Sequence, residues 1–204
     1  MDKLPFWYKP TKIFFKIVMK ILFRLEIRHS ERFPASGPVV LACNHVSNAD
    51  PPLVGVASPR RVNIMAKEEL FLPVIGAFYR LLGAFPVRRG AADRAAIKYA
   101  INVLKNGECL MIFPEGTRSR TGELGKAQPG ALMMASKARA TIVPTCIVGT
   151  DFPREKRWWP KVIVSFARPI EFPEGEITKD LLHSLTEEMM KRIGDEIALI
   201  RSDS

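Results

Sequence analysis

The stretch "PVVLACNHVSNADPP", residues 38–52, decides how the chain is read. Residues 38–43 form a short apolar run that stops at polar residues, the pattern of a buried strand. Asp50 followed by Pro51 predicts a helix start, with Asp50 as N-cap and Pro51 in the first helical position. Between the two lies His45, one of three histidines in the chain and five positions before Asp50. In open α/β sheets the working residues gather where strands end and loops begin.

The alternation continues outward. Strands are predicted at 61–67, 84–89, 141–149 and 161–170, and "CLMIFPEG" at 109–116 is a strand running into a turn. Helices are predicted over 91–107, stopped by Gly107, over 131–138, and over 178–200 with Thr178 as cap. Residues 69–82 read as two short helical pieces around Pro73. The segments 117–130 and 151–160 are polar or charged and read as loops. Strands alternating with helices predict one α/β domain with a mixed, largely parallel sheet flanked by helices, covering 31–204.

Residues 1–30 form a separate region. In "FWYKPTKIFFKIVMKILFRLEIR", residues 6–28, Lys12, Lys16, Lys20 and Arg24 recur every four positions. Each step of four turns a helix by ~40°, so the four cations form one stripe and apolar side chains fill the rest. Trp7 and Tyr8 precede it. This composition suits an amphipathic helix lying in a membrane interface. Packing of an ordinary amphipathic helix on the domain is the alternative, and the width of the apolar face favours the interface.

Composition sets further bounds. A chain of 204 residues with 47% hydrophobic and 25% charged residues can build a sizeable core. The net charge of +10 points to an anionic partner: nucleic acid, an anionic bilayer or acidic substrates. Lys and Arg are widely spread and no nucleic-acid motif is present, which argues against the first. Cys43, Cys109 and Cys146 are far apart in apolar runs and read as reduced, buried thiols. No signal peptide and no run of 18 apolar residues is evident, so a transmembrane helix is not expected.

Histidine titrates near neutral pH, and a carboxylate on one ring nitrogen fixes its tautomer. His45 and Asp50 can meet if the turn folds back, although a structural capping pair has the same sequence pattern. His29 and His183 lack such a setting. In "FPEGTRS", residues 113–119, Pro114 and Gly116 force a tight turn from which Glu115, Thr117, Arg118 and Ser119 project. The guanidinium of Arg118 suits phosphate, although a turn with incidental charges has the same pattern, and Arg88 and Arg89 close the 84–89 strand as another charged cluster.

These residues carry a resemblance. "NHVSNAD" fits an NHxxxxD motif, and "FPEGTRS" matches a seven-letter motif of the 1-acylglycerol-3-phosphate (lysophosphatidate) acyltransferase family, bacterial type. "GAFPVRR" (83–89) and "IVPTCIVG" (142–149, with Val143 and Pro144) are similar to two further blocks in the family's order. The likeness spans about residues 35–150. Pro86 stands where the family often has Phe, and Arg88 where many members carry an acid.

The resemblance implies transfer of a fatty acyl group from a thioester of acyl carrier protein or coenzyme A to the hydroxyl of lysophosphatidate, giving phosphatidate. It implies His45 as general base and Asp50 as its orienting partner. It implies Arg88, Arg89 and Arg118 on the acceptor phosphate, with Glu115, Gly116 and Thr117 shaping that site. It implies no metal and no resident cofactor. It also implies an enzyme held peripherally on the cytoplasmic face of the cell membrane by residues 1–30, on an anionic surface. Another lysolipid or glycerol 3-phosphate as acceptor, or a non-catalytic lipid-binding role, are the alternatives. Cys43, two residues before His45, raises a further one, an acyl-cysteine intermediate.

Overall fold

A computed structural model describes residues 8–72, 76, 80, 83–87, 94–128, 130–151 and 159–203. The short helical pieces expected over 69–82 fall largely outside these residues, as do Trp7, Arg88 and Arg89.

The chain runs α1 (Tyr8–Phe23), β1 (Glu26–Arg28), β2 (Val39–Cys43), α2 (Asp50–Ala57), β3 (Val62–Lys67), β4 (Ala84–Val87), α3 (Arg94–Lys105), β5 (Cys109–Ile112), α4 (Met133–Ala138), β6 (Thr141–Val148), β7 (Ile163–Phe166) and α5 (Lys179–Ser202). The strands form one seven-stranded sheet in the order β1-β7-β6-β2-β5-β3-β4. Among the described strands the β6–β7 pair is antiparallel and the other pairs are parallel, with an isolated antiparallel bridge between Ile142 and Ile170.

β2 sits at the centre, and all five of its residues are buried. A strand covered on both faces needs a continuous apolar run, which "VVLAC" supplies. Val39, Leu41 and Cys43 enter the layer built with α2, against which Phe15, Met19 and Phe23 of α1 pack. Val40 and Ala42 enter the opposite layer with α3, α4 and α5. On α5 the buried residues are Leu185, Met189, Ile193, Ile197 and Ile200, one helical stripe. Thr178 caps that helix as expected, its hydroxyl accepting from Leu181 N at 3.2 Å. Gly107, at φ 76°, ends α3.

Two expectations are corrected. The N-terminal helix does not run to residue 28: it stops at Phe23, and Arg24 takes a left-handed φ of 46°. Glu26–Arg28 is instead an edge strand paired with β7, held by Glu26 N donating to Val162 O and Val162 N to Phe23 O. Pairing with β7 draws this segment into the sheet, and Glu26 also pairs with Arg28 and Lys161. Asp50 is not the N-cap of α2. It is the first helical residue, following Ala49, because its carboxylate is engaged by the preceding loop.

The cations of α1 do not act as one stripe. Lys12 turns inward and donates to Ser58 O and Arg60 O, just past the end of α2. Burial there pushes its pKa down to about 8. Arg24, one residue past the helix, lies over the ring of Trp159. Opposite the packed face, Ile13, Phe14, Ile17, Ile21 and Leu22 remain 52–63% exposed. Thus α1 is apolar on two sides, one against the domain and one outward. Among the described residues, no helix is long and apolar enough to cross a membrane.

Candidate active site

Parallel pairing brings the two motifs together. Ala42 of β2 lies opposite Ile112 of β5. Both chains therefore leave the sheet at the same edge, His45 three residues beyond one position and Glu115 three residues beyond the other. Open parallel sheets place their sites at this carboxyl end.

His45 Nδ1 lies 2.8 Å from Asp50 Oδ2. The same oxygen accepts from Val46 N and Ser47 N, each at 2.7 Å. Asp50 is fully buried, and its Oδ1 has no hydrogen-bond partner among the described residues. A buried carboxylate bonded by two main-chain N–H groups has one strong remaining preference, a donor at the ring nitrogen. Nδ1–H then donates to Asp50, and Nε2 is the nitrogen able to take a proton. The His45 side chain is 10% exposed and its ring stacks on Phe113, with centroids 4.0 Å apart and planes at 21°.

The main chain around His45 is held as firmly as the ring. Its N–H donates to Glu115 Oε1 at 2.9 Å. Its carbonyl accepts from Ser119 N at 2.7 Å. One residue earlier, buried Asn44 imitates a strand edge: its side chain accepts from Ile147 N and donates to Ile147 O.

In the "FPEGTRS" turn, Glu115 is 5% exposed, while Gly116, Thr117 and Arg118 are exposed. Gly116 sits at φ 69°, and a Cβ there would fall 2.9 Å from Gln128 Cγ, so the position excludes other side chains. Glu115 Oε2 accepts from Gly125 N at 2.8 Å. The structure thus gathers His45, Asp50, Glu115, Gly116, Thr117 and Arg118 at one sheet edge; Arg88 and Arg89 lie outside the described residues. The reading of the sequence missed the supporting roles of Asn44, Phe113, Gly125 and Gln128. Of these only Asn44, a polar residue closing an apolar run, leaves a local trace.

Cys43 is fully buried in the core. Burial pushes its thiol pKa well up, and the carboxylate of Asp50 adds to this. Cys109 and Cys146 are also buried, pushed up to about 11 and about 12. A nucleophilic thiol needs a lowered pKa and access, so Cys43 has neither requirement. Cys43→Ala is expected to keep acyl transfer within about threefold of wild type, since only a small core volume changes. Loss of turnover in a folded Cys43→Ala protein would reinstate the acyl-cysteine route.

A histidine paired with a buried carboxylate, with no reactive thiol beside it, has the pairing that general-base chemistry uses. The chain matches the acyltransferase family model over residues 24–148. It is 31% identical over 182 residues to the 1-acyl-sn-glycerol-3-phosphate acyltransferase of Bacillus subtilis, covering 87% of this chain and 90% of that protein. To the enzyme of the same name from Streptococcus pneumoniae it is 33% identical, over 66% of this chain and 51% of the other. Its fold matches the crystal structure of the 1-acyl-sn-glycerophosphate (LPA) acyltransferase PlsC from Thermotoga maritima with a TM-score of 0.75 at 28% identity, over 94% of this chain and 79% of that one. The chain belongs to the acyltransferase family.

Proposed function

We propose that the protein acylates the sn-2 hydroxyl of lysophosphatidate, drawing the acyl group from a thioester of acyl carrier protein or coenzyme A and forming phosphatidate. The observation that carries this is the 2.8 Å contact between His45 Nδ1 and the buried Asp50 carboxylate, at the edge where the exposed Arg118 also lies. The names of the relatives supply the acceptor class.

His45 Nε2 takes the hydroxyl proton as the acceptor oxygen attacks the thioester carbonyl carbon. A carbon–oxygen bond forms, and the carbonyl electrons move onto oxygen. Collapse of this intermediate breaks the carbon–sulfur bond, and the imidazolium returns its proton to the departing thiolate. Asp50 favours the imidazolium electrostatically and holds the ring. Arg118, with Arg88 and Arg89, neutralises the acceptor phosphate. Gly116 and Thr117 border that site, where the absence of a side chain at Gly116 leaves the turn close to Gln128. The proposal uses no metal and no resident cofactor.

Both substrates carry acyl chains, so the reaction belongs at a bilayer. The outward apolar side of α1 is proposed to enter the cytoplasmic leaflet of the cell membrane, with Lys16 and Lys20 beside it meeting anionic headgroups. Ile17→Glu with Ile21→Glu replaces two exposed side chains and leaves the packed face intact. Binding to vesicles containing phosphatidylglycerol is expected to weaken about tenfold or more, from the apolar burial lost. Equal binding by the double variant would remove α1 from the interface.

The acceptor assignment is tested by offering lysophosphatidate, glycerol 3-phosphate and lysophosphatidylcholine in parallel, and locating the new ester. Phosphatidate acylated at sn-2 as the dominant product supports the proposal. Preference for either other acceptor would redirect it.

A further inference from the structure

Glu115 lies in the FPEGTRS turn beside the exposed Arg118, yet its carboxylate is buried against main-chain N–H groups. We infer that Glu115 is a positioning residue for the base: it fixes the main chain of His45 to the loop that bears Arg118, with Gly125 as the neighbour that makes room for it. The inference rests on the acyl-transfer reading above and assigns Glu115 no contact with substrate.

Three observations carry it. First, both carboxylate oxygens already accept from main-chain N–H groups, Oε1 from His45 and Oε2 from Gly125. At 5% exposure the group is buried behind the turn, and a carboxylate so placed is held by charge-assisted bonds to its donors. Second, the same loop takes the other side of His45: Ser119 N donates to His45 O, and Phe113 stacks on the ring. Beside Asp50, the strand and the Asn44 clasp to Ile147, the 113–125 segment is therefore a further anchor of the base. Third, the loop closes on Glu115 at several points. Gln128 N donates to Pro114 O at 2.8 Å, and a Cβ on Gly125 would stand 2.8 Å from Glu115 Oε2. Only glycine at 125 leaves the carboxylate where it is.

The consequence is mechanical. A base works when the reacting atoms are held near 3 Å, and a displacement of about 1 Å can cost on the order of 100-fold in rate. Glu115 links the residue that removes the proton to the loop whose arginine holds the phosphate. Loosening it changes their separation, which affects turnover more than capture of the acceptor. A residue that touched the phosphate would do the reverse.

The test uses the full chain and four variants: Glu115→Gln, Glu115→Asp, Glu115→Ala and Gly125→Ala. Gln keeps one acceptor oxygen for the two donors, Asp is too short to reach both, and Ala reaches neither. Turnover is expected to fall in the order Gln, Asp, Ala, reaching roughly 100-fold for Ala, with KM for lysophosphatidate within about threefold of wild type. Gly125→Ala alters an exposed loop position and should reproduce the Glu115→Asp phenotype, so the result does not depend on Glu115 variants alone. Amide hydrogen exchange at His45 is read in the same proteins and should quicken in Glu115→Ala and Gly125→Ala. A rise in KM with turnover intact would overturn the inference, and so would an unchanged His45 amide. If wild type shows no acyl transfer, the proposed function fails while the exchange measurement still decides whether the clamp exists.

Discussion

His45→Ala is expected to lower turnover with lysophosphatidate by about 10³-fold or more, within the range general bases contribute, and to leave the fold intact. The side chain is nearly buried but stands at a loop edge rather than in the packed core. Alanine keeps the main-chain bonds to Glu115 and Ser119, and Asp50 keeps its two N–H donors from Val46 and Ser47. The melting temperature should therefore move little while the rate collapses. Stopped turnover with unchanged circular dichroism and unchanged acceptor binding is the expected result. A folded His45→Ala enzyme within tenfold of wild type would mean that the proton leaves by another route.

Asp50→Asn carries the second large effect, a fall of about 10²–10⁴-fold, by analogy with loss of the carboxylate in a serine-hydrolase triad. The amide matches the carboxylate in size and can still accept from Val46 N and Ser47 N. It cannot supply the negative charge that favours the imidazolium. Because one oxygen, Oδ2, meets His45 Nδ1, Val46 N and Ser47 N together, an NH₂ turned to the ring would also face those two N–H donors, so the amide oxygen stays in place and the loss is that of the charge. The loss should appear in turnover, with the acceptor KM little changed. Near-normal turnover in a folded Asp50→Asn protein would reduce Asp50 to a clasp of the loop. Comparison with Asp50→Ala separates the roles further, since Ala also leaves the part-buried N–H groups of Val46 and Ser47 without their acceptor.

The class of fold was legible because the decisive strands are unambiguous. "VVLAC" and "TIVPTCIV" are apolar without alternation, as strands covered on both faces must be. The meeting of His45 and Asp50 was legible only as one of two readings, since a capping pair has the same spacing, and the structure brings the two side chains to 2.8 Å. What stayed hidden depends on partners distant in sequence. β1 looked like the tail of an apolar helix, and only β7, more than a hundred residues later, makes it a strand. Lys12 looked like one of four headgroup-facing cations until two carbonyls beyond α2 drew it inward. Glu115 looked like a member of a phosphate-binding turn, and its bonds to His45 and Gly125 appear only once β2 and β5 lie side by side. In each case the local pattern was compatible with the structure, and tertiary hydrogen bonds set the conformation.

The most direct measurement is product formation by purified protein in mixed micelles, with lysophosphatidate as acceptor and the palmitoyl thioesters of acyl carrier protein and coenzyme A as separate donors, wild type beside His45→Ala. Phosphatidate from wild type with at least one donor, and almost none from His45→Ala, is the predicted result; the better carrier identifies the donor. Phosphatidate made equally by both proteins would contradict the central claim, that His45 held by Asp50 removes the acceptor proton.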